Sequence, residues 1–343
     1  MKKTLVAIAA AAAVTGAMAD VTITGFIDQA LQTTSTTLAA GTKTTINTID
    51  ANLNGQSQIS FGATEDLGDG MSAYVNFSIL PNINGGSGSA ANDAGSGIGL
   101  KGAFGNVFLG NNYDQVRSTM GDADVTGFGA TASVGSVWAP TNALAPSRQQ
   151  LIRWTLPSLT QGLDIVVEHN NGGLSTGVGD SNGVGISYTT GGLYVKYAAN
   201  QTKTSSGATT FSTYDGANVA TTSFFDGSTA NYQAVALTYD LGAAKLYYGN
   251  QQMTMSDGGD AAEAKWTAGV SVPFGAASIG YGHSSAQFTS IAGLALNGIT
   301  SDAILAKYNF SKRTLAYLKT AKTTTSSTSA SITNTSLGLV HSF

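Results

Sequence analysis

The chain has 343 residues, of which only 10% are charged, with 43 glycines, 5 prolines and no cysteine. The lack of cysteine excludes a disulfide framework and thiol chemistry, and three histidines without metal-ligand spacing (His169, His283, His341) leave any metal cage to carboxylates. A net charge of −4 on so few charged residues excludes a solvating, disordered polyelectrolyte.

Residues 1–19 read as a secretory signal, with Lys2 and Lys3, an apolar run over 5–14, and Ala17-Met18-Ala19 as the cleavage site. Cleavage would start the mature chain at Asp20 and, with two of 16 basic residues gone against 20 acidic ones, set the net charge at −6. No composition shift divides residues 20–343, which read as a single domain. Beyond the signal no stretch reaches the roughly 20 apolar residues a spanning helix needs.

Short alternating segments bounded by Gly, Asn, Asp and Ser follow one another instead. They run from VTITGFIDQAL, SQISFGATEDL and MSAYVNFSIL through GIGLKG, NVFLGNN, LIRWTL, LDIVVEH and GVGISYTT. LYVKYAAN, YQAVALTYD, AKLYYGNQ, AKWTAGVSVPF, ASIGYGHSSAQF, DAILAKYNF, TLAYLKTA and the terminal SLGLVHSF complete about sixteen. Strand side chains alternate faces, so Val75 and Phe77 oppose Tyr74 and Asn76, while Val235, Leu237 and Tyr239 oppose Ala234, Ala236 and Thr238. The connections alternate between short turns, such as Asp66-Leu67-Gly68 and Asp240-Leu241-Gly242, and long segments at 37–53, 82–95, 113–147, 202–229 and 287–299. No helical period stands out in any of them.

A soluble β-sandwich would share the alternation but should be roughly a quarter charged. Aromatic residues near strand ends (Tyr247, Tyr248, Phe274, Phe310, Phe343) suit girdles at two lipid interfaces. An exported chain that meets a membrane without apolar helices must do so with closed strands. The pattern therefore predicts an all-β fold, a 16-stranded antiparallel transmembrane β-barrel.

Four segments, VTITGFID, SQISFGATEDLGDGMSAYV, GLKGAFGNVFLGNNY and LIRWTLPS, together with the terminal Phe343, resemble the trimeric general porins of Gram-negative outer membranes, closest to the beta-proteobacterial type. The resemblance covers essentially the whole of residues 20–343. It implies a homotrimer in outer-membrane lipid and lipopolysaccharide, a third loop (113–147) folded inward to narrow the pore, and recognition of Phe343 by the barrel assembly machinery. It implies neither catalysis nor a cofactor nor a nucleic-acid partner, and leaves open whether calcium fills gaps between loop carboxylates.

In such porins an acidic stretch on the third loop faces basic residues on the wall. Asp122 and Asp124 occupy the acidic position here, with Asp114 at the loop's base. On the wall, Arg153 and Lys101 match the family's basic positions, and Arg148 lies nearby. Gln58, Gly62, Ala94 and Asn111 stand where relatives commonly carry cations. Parity places Arg153 and Lys101 away from the apolar face, and makes Asp28 a carboxylate of the lumen. The expected function is passive diffusion of ions and small hydrophilic solutes, weakly cation-selective to near neutral. The alternatives are a channel selective for a particular anion or sugar, and a structural or adhesive barrel.

Overall fold

The computed structural model describes residues 20–51, 53–81, 83, 91–92, 95–127, 149–171, 178–204, 209–214, 219–224, 229–256, 262–288, 298–326 and 329–343. The expected signal, Ala94 and Arg148 lie outside the described residues.

The strands are β1 (Asp20–Thr37), β2 (Lys43–Ala51), β3 (Gln58–Gly68), β4 (Met71–Leu80), β5 (Ala91–Asn92), β6 (Ser96–Gly102) and β7 (Gly105–Asn112). After helix α1 (Gln115–Asp122) come β8 (Gln149–Thr155), β9 (Leu163–Asn170), β10 (Val178–Thr190) and β11 (Leu193–Thr204). A separate hairpin of β12 (Thr209–Tyr214) and β13 (Val219–Phe224) precedes β14 (Thr229–Asp240), β15 (Lys245–Ser256), β16 (Ala262–Phe274) and β17 (Ala277–Phe288). The chain closes with β18 (Ile299–Asn309), β19 (Thr314–Thr325) and β20 (Ser331–Ser342).

The main sheet has 18 hydrogen-bonded segments. β2 and β3 both pair with β1, and β5 and β6 both pair with β4, so each of those pairs forms one stave and the sheet has sixteen. Every pairing is antiparallel, and β20 joins β1 from Phe26↔Ser342 to Thr37↔Ser331, closing the barrel. The last residue seals the seam: the N–H of Phe343 donates to the carbonyl of Gly25, and the Gly25 N–H donates back to Phe343 O.

Burial is inverted relative to a water-soluble protein. Val21, Ile23, Leu31, Phe61, Phe77, Ile98, Leu109, Ile152, Ile304, Leu318, Leu337 and Leu339 are all exposed. Many of their neighbours one residue along are buried, among them Ala30, Phe108, Leu151, Ala303, Lys319 and Ser336. Aqueous solvent would penalise so much exposed apolar surface, whereas a hydrocarbon bilayer core favours it. Aromatic rings gather at the short-turn rim, where Phe104, Tyr239, Phe274, Tyr308 and Phe310 stand exposed and Tyr308 packs edge-on against Phe310. This is the girdle position expected of Phe274 and Phe310.

The short turns follow from local chemistry. In Asp66-Leu67-Gly68 and Asp240-Leu241-Gly242 the aspartate carboxylate accepts from the glycine N–H two residues on, at 2.9 and 2.7 Å. Both glycines hold φ near +80°, a conformation a Cβ would oppose.

Three features depart from the sequence expectations. Most of the segment at 37–53 is strand: β1 runs to Thr37 and turns directly into β2. Its Thr and Ile are β-branched and favour extended backbone, although the segment lacks a long apolar run. The segment at 202–229 holds the β12–β13 hairpin. The third, helix α1, lies in the segment at 113–147.

Candidate functional site

Helix α1 begins where Asp114, extended at φ −66° and ψ 167°, accepts from the Arg117 N–H at 3.0 Å. An aspartate at this position satisfies a backbone donor that has no partner within the helix. Asp114 is almost fully buried and close to Glu168. Burial first, and the Glu168 charge second, push its carboxyl up to about 7 from 3.8.

The helix packs on the face of β10, β11, β14 and β15 opposite their exposed apolar side chains. Val116, Met120 and Ala123 join Ala198, Tyr232, Ala234, Ala236 and Met253 in one apolar cluster. The seat is shallow because the wall residues are small. At Gly249 a Cβ would lie 2.6 Å from the Ala123 Cβ and 2.8 Å from the Met120 Cε, so any larger residue would displace the helix.

Polar contacts fix both ends of the helix. At its start, the Gln115 N–H donates to Glu168 Oε1 at 2.8 Å, and the other oxygen of that carboxylate takes two bonds from Arg153, at 3.0 and 2.7 Å. Arg153 also donates to the Tyr113 carbonyl. At its end, Lys196 donates to Ser118 Oγ at 2.8 Å and pairs with Asp122 at 3.4 Å, and the Tyr194 hydroxyl donates to the same Asp122 oxygen at 2.8 Å. The chain then descends through Asp124, whose carboxylate accepts from the Thr126 N–H and hydroxyl at 2.8 and 2.7 Å. Val125 lies against the wall at Gly269 and Gly280.

The structure thus places Arg153 at the start of α1, Asp122 at its end and Asp124 just beyond it, each engaged by protein partners. Lys101 lies elsewhere, at the short-turn end of β6, exposed with its ammonium 4.8 Å from the Tyr74 ring centroid. Asp28 is fully buried and holds backbone N–H groups of the segment between β2 and β3.

Sequence reasoning passed over Lys196, Lys307, Lys319, Glu168 and the Lys265–Glu263 ion pair at 2.7 Å, all on staves of the wall. Parity would have found several of them. Lys196 alternates with exposed Tyr197, and Lys319 sits between Leu318 and the outer face of Thr320. Among the described residues no group of three His, Asp or Glu is placed to hold a metal ion.

A family model described as Gram-negative porin matches residues 4–328. The chain belongs to this family. The porin is 32% identical over 200 residues to the major outer membrane protein P.IB of Neisseria lactamica, a match covering 58% of each chain. P.IB of Neisseria gonorrhoeae is 29% identical over 200 residues, covering 56% of that protein. The matched stretch therefore spans under two thirds of these relatives. In architecture the porin resembles an anion-selective porin from Comamonas acidovorans, with a TM-score of 0.79 at 20% identity over 95% of this chain and 100% of the other. OmpT of Vibrio cholerae superposes with a TM-score of 0.72 at 12% identity, over 94% of this chain and 97% of that one. At these identities the likeness speaks for the fold. Family and barrel together place the porin in the outer membrane of a Gram-negative bacterium.

Proposed function

We propose that the porin is a water-filled channel for passive diffusion of ions and small hydrophilic solutes, and that helix α1 with residues 123–127 is an inward fold of the third loop that narrows the lumen. One observation carries this reading: α1 packs on the wall face opposite the exposed apolar residues of a closed barrel. Such a channel works without turnover. A polar lumen removes the dehydration barrier, the narrowest section sets the size limit, and fixed charges bias which ion enters.

Three cations of this wall pair with carboxylates: Arg153 with Glu168, Lys196 with Asp122, and Lys265 with Glu263. Paired charges project little net field along the lumen, which supports weak cation preference to near neutrality. The channel works as a homotrimer, with the assembly machinery reading Phe343 and lipopolysaccharide covering the outer leaflet. The exposed apolar residues of β1 and β20, Val21, Ile23, Leu31, Leu337 and Leu339, suit either lipid or a neighbouring copy.

Purified folded protein in planar bilayers tests the proposal. Current without any added ligand, rising in proportion to salt concentration, is expected. A sealed bilayer would overturn the channel reading, and a strong chloride preference in a salt gradient would overturn the selectivity reading.

A further inference from the structure

The stave formed by β2 and β3 is interrupted. Ala51 pairs with Gln29 and Gln58 with Phe26, so residues 53–57 stand opposite Ile27 and Asp28 alone. The surplus chain leaves the sheet on its buried face. Leu53 is 1% exposed and packs with Ala30, Leu305, Tyr317 and Val340, which belong to β1, β18, β19 and β20. It therefore reaches sideways across three staves beyond its own neighbour.

The sheet is built to hold this segment. Asp28 Oδ2 accepts from the N–H groups of Asn54 and Gly55 at 2.6 and 2.9 Å, and Ser57 Oγ accepts from the Asp28 N–H at 2.9 Å. The second carboxylate oxygen takes the Tyr317 hydroxyl at 2.7 Å. The Tyr317 ring lies over Gly338, where a Cβ would come within 2.4 Å of it, so the tyrosine can reach Asp28 only across a glycine. Lys319 donates to the Leu53 carbonyl at 2.9 Å. A wholly buried ammonium is costly unless it is hydrogen-bonded.

The same segment touches both ends of the third-loop fold. The Tyr113 hydroxyl donates to Gln56 Oε1 at 3.3 Å, and a Cβ at Gly127 would meet the Asn54 carbonyl at 3.1 Å. Gly127 itself holds φ +73°. Helix α1 and residues 123–127 lie against β10, β11 and β14 to β17, and the segment from β2–β3 against β1 and β18 to β20.

We propose that residues 53–57 form a second lip of the constriction, continuing the third loop around the wall, and that Asp28 is the positioning residue that holds it there. This inference rests on the channel reading above. The pore's narrowest section is then bounded by two inward segments, and its solute cutoff depends on both.

The chain contains no cysteine, so Asn54→Cys introduces a single thiol. A cationic trimethylammonium methanethiosulfonate reagent, added to the open channel in a bilayer, is expected to reduce the current stepwise, while Thr42→Cys in the exposed outer turn is labelled without loss of current. Complete labelling at position 54 with unchanged conductance would overturn the second lip. Asp28→Asn and Tyr317→Phe, each in the Asn54→Cys background, are expected to shrink the current loss on labelling while the barrel keeps its heat-resistant folded form. An undiminished loss in both would overturn the role given to Asp28. A starting Asn54→Cys channel that carries no current, like the unsubstituted porin, would instead overturn the channel reading itself.

Discussion

At the scale of single residues, the charges of the wall serve as fastenings as much as fixed field. Glu168 binds Arg153 with one oxygen and the first N–H of α1 with the other, and its side chain is 4% exposed. Removing one member of a buried ion pair leaves the other uncompensated, at a cost of about 3–5 kcal/mol, whereas an apolar replacement of both can be neutral. Glu168→Gln should therefore destabilise the folded barrel in denaturant titrations more than the double substitution Arg153→Met with Glu168→Met. Asp114 adds a dependence on pH. Its carboxyl sits near 7 in the fold against 3.8 when unperturbed, so the native state holds the proton more tightly. Stability contributed by this group is fully present below pH 3.8 and is lost as pH rises through about 7. Asp114→Asn keeps a good helix cap and should flatten this part of the stability–pH curve. An unchanged slope would show that another group titrates there.

At the scale of elements, position and function of the helix depend on small wall residues. Gly249→Val should push α1 off β15 and change single-channel conductance without altering the barrel's folded yield, because the two nearest atoms, at 2.6 and 2.8 Å, belong to the helix and the wall behind it keeps its register. The strands were legible in the amino-acid sequence because lipid on one side and packed polar chain on the other impose a period of two. The short turns were legible from their Asp and Gly. Helix α1 was not, since its sequence QVRSTMGD has only Val116 and Met120 as large apolar residues, and a seat of glycine and alanine on other strands stabilises it. The segment at 53–57 was hidden for a related reason: its anchors, Asp28, Tyr317 and Lys319, come from opposite ends of the chain. Parity did place Asp28 away from lipid, but its partners are set by the closed barrel, which unites β1 with β19 and β20.

At the scale of the whole molecule, the barrel's solvent is lipid outside and water within. Ile304 lies mid-strand on the exposed face of β18, and Ala303 beside it is buried on the other. Ile304→Arg should lower folding stability in bilayers by about 2–4 kcal/mol, the cost of a cation facing hydrocarbon at mid-depth. The same substitution in a water-soluble barrel would be nearly silent, so equilibrium folding into lipid vesicles separates the two environments. The pairing of Arg153, Lys196 and Lys265 with carboxylates has its consequence at this scale too, because the lumen's net field is what a permeating ion senses. The most direct test is the conductance and reversal potential of the purified porin in a planar bilayer under a potassium chloride gradient. The account predicts a steady, ligand-independent current that reverses near zero or slightly toward the potassium potential; a bilayer that stays sealed, or a current reversing close to the chloride potential, would contradict it.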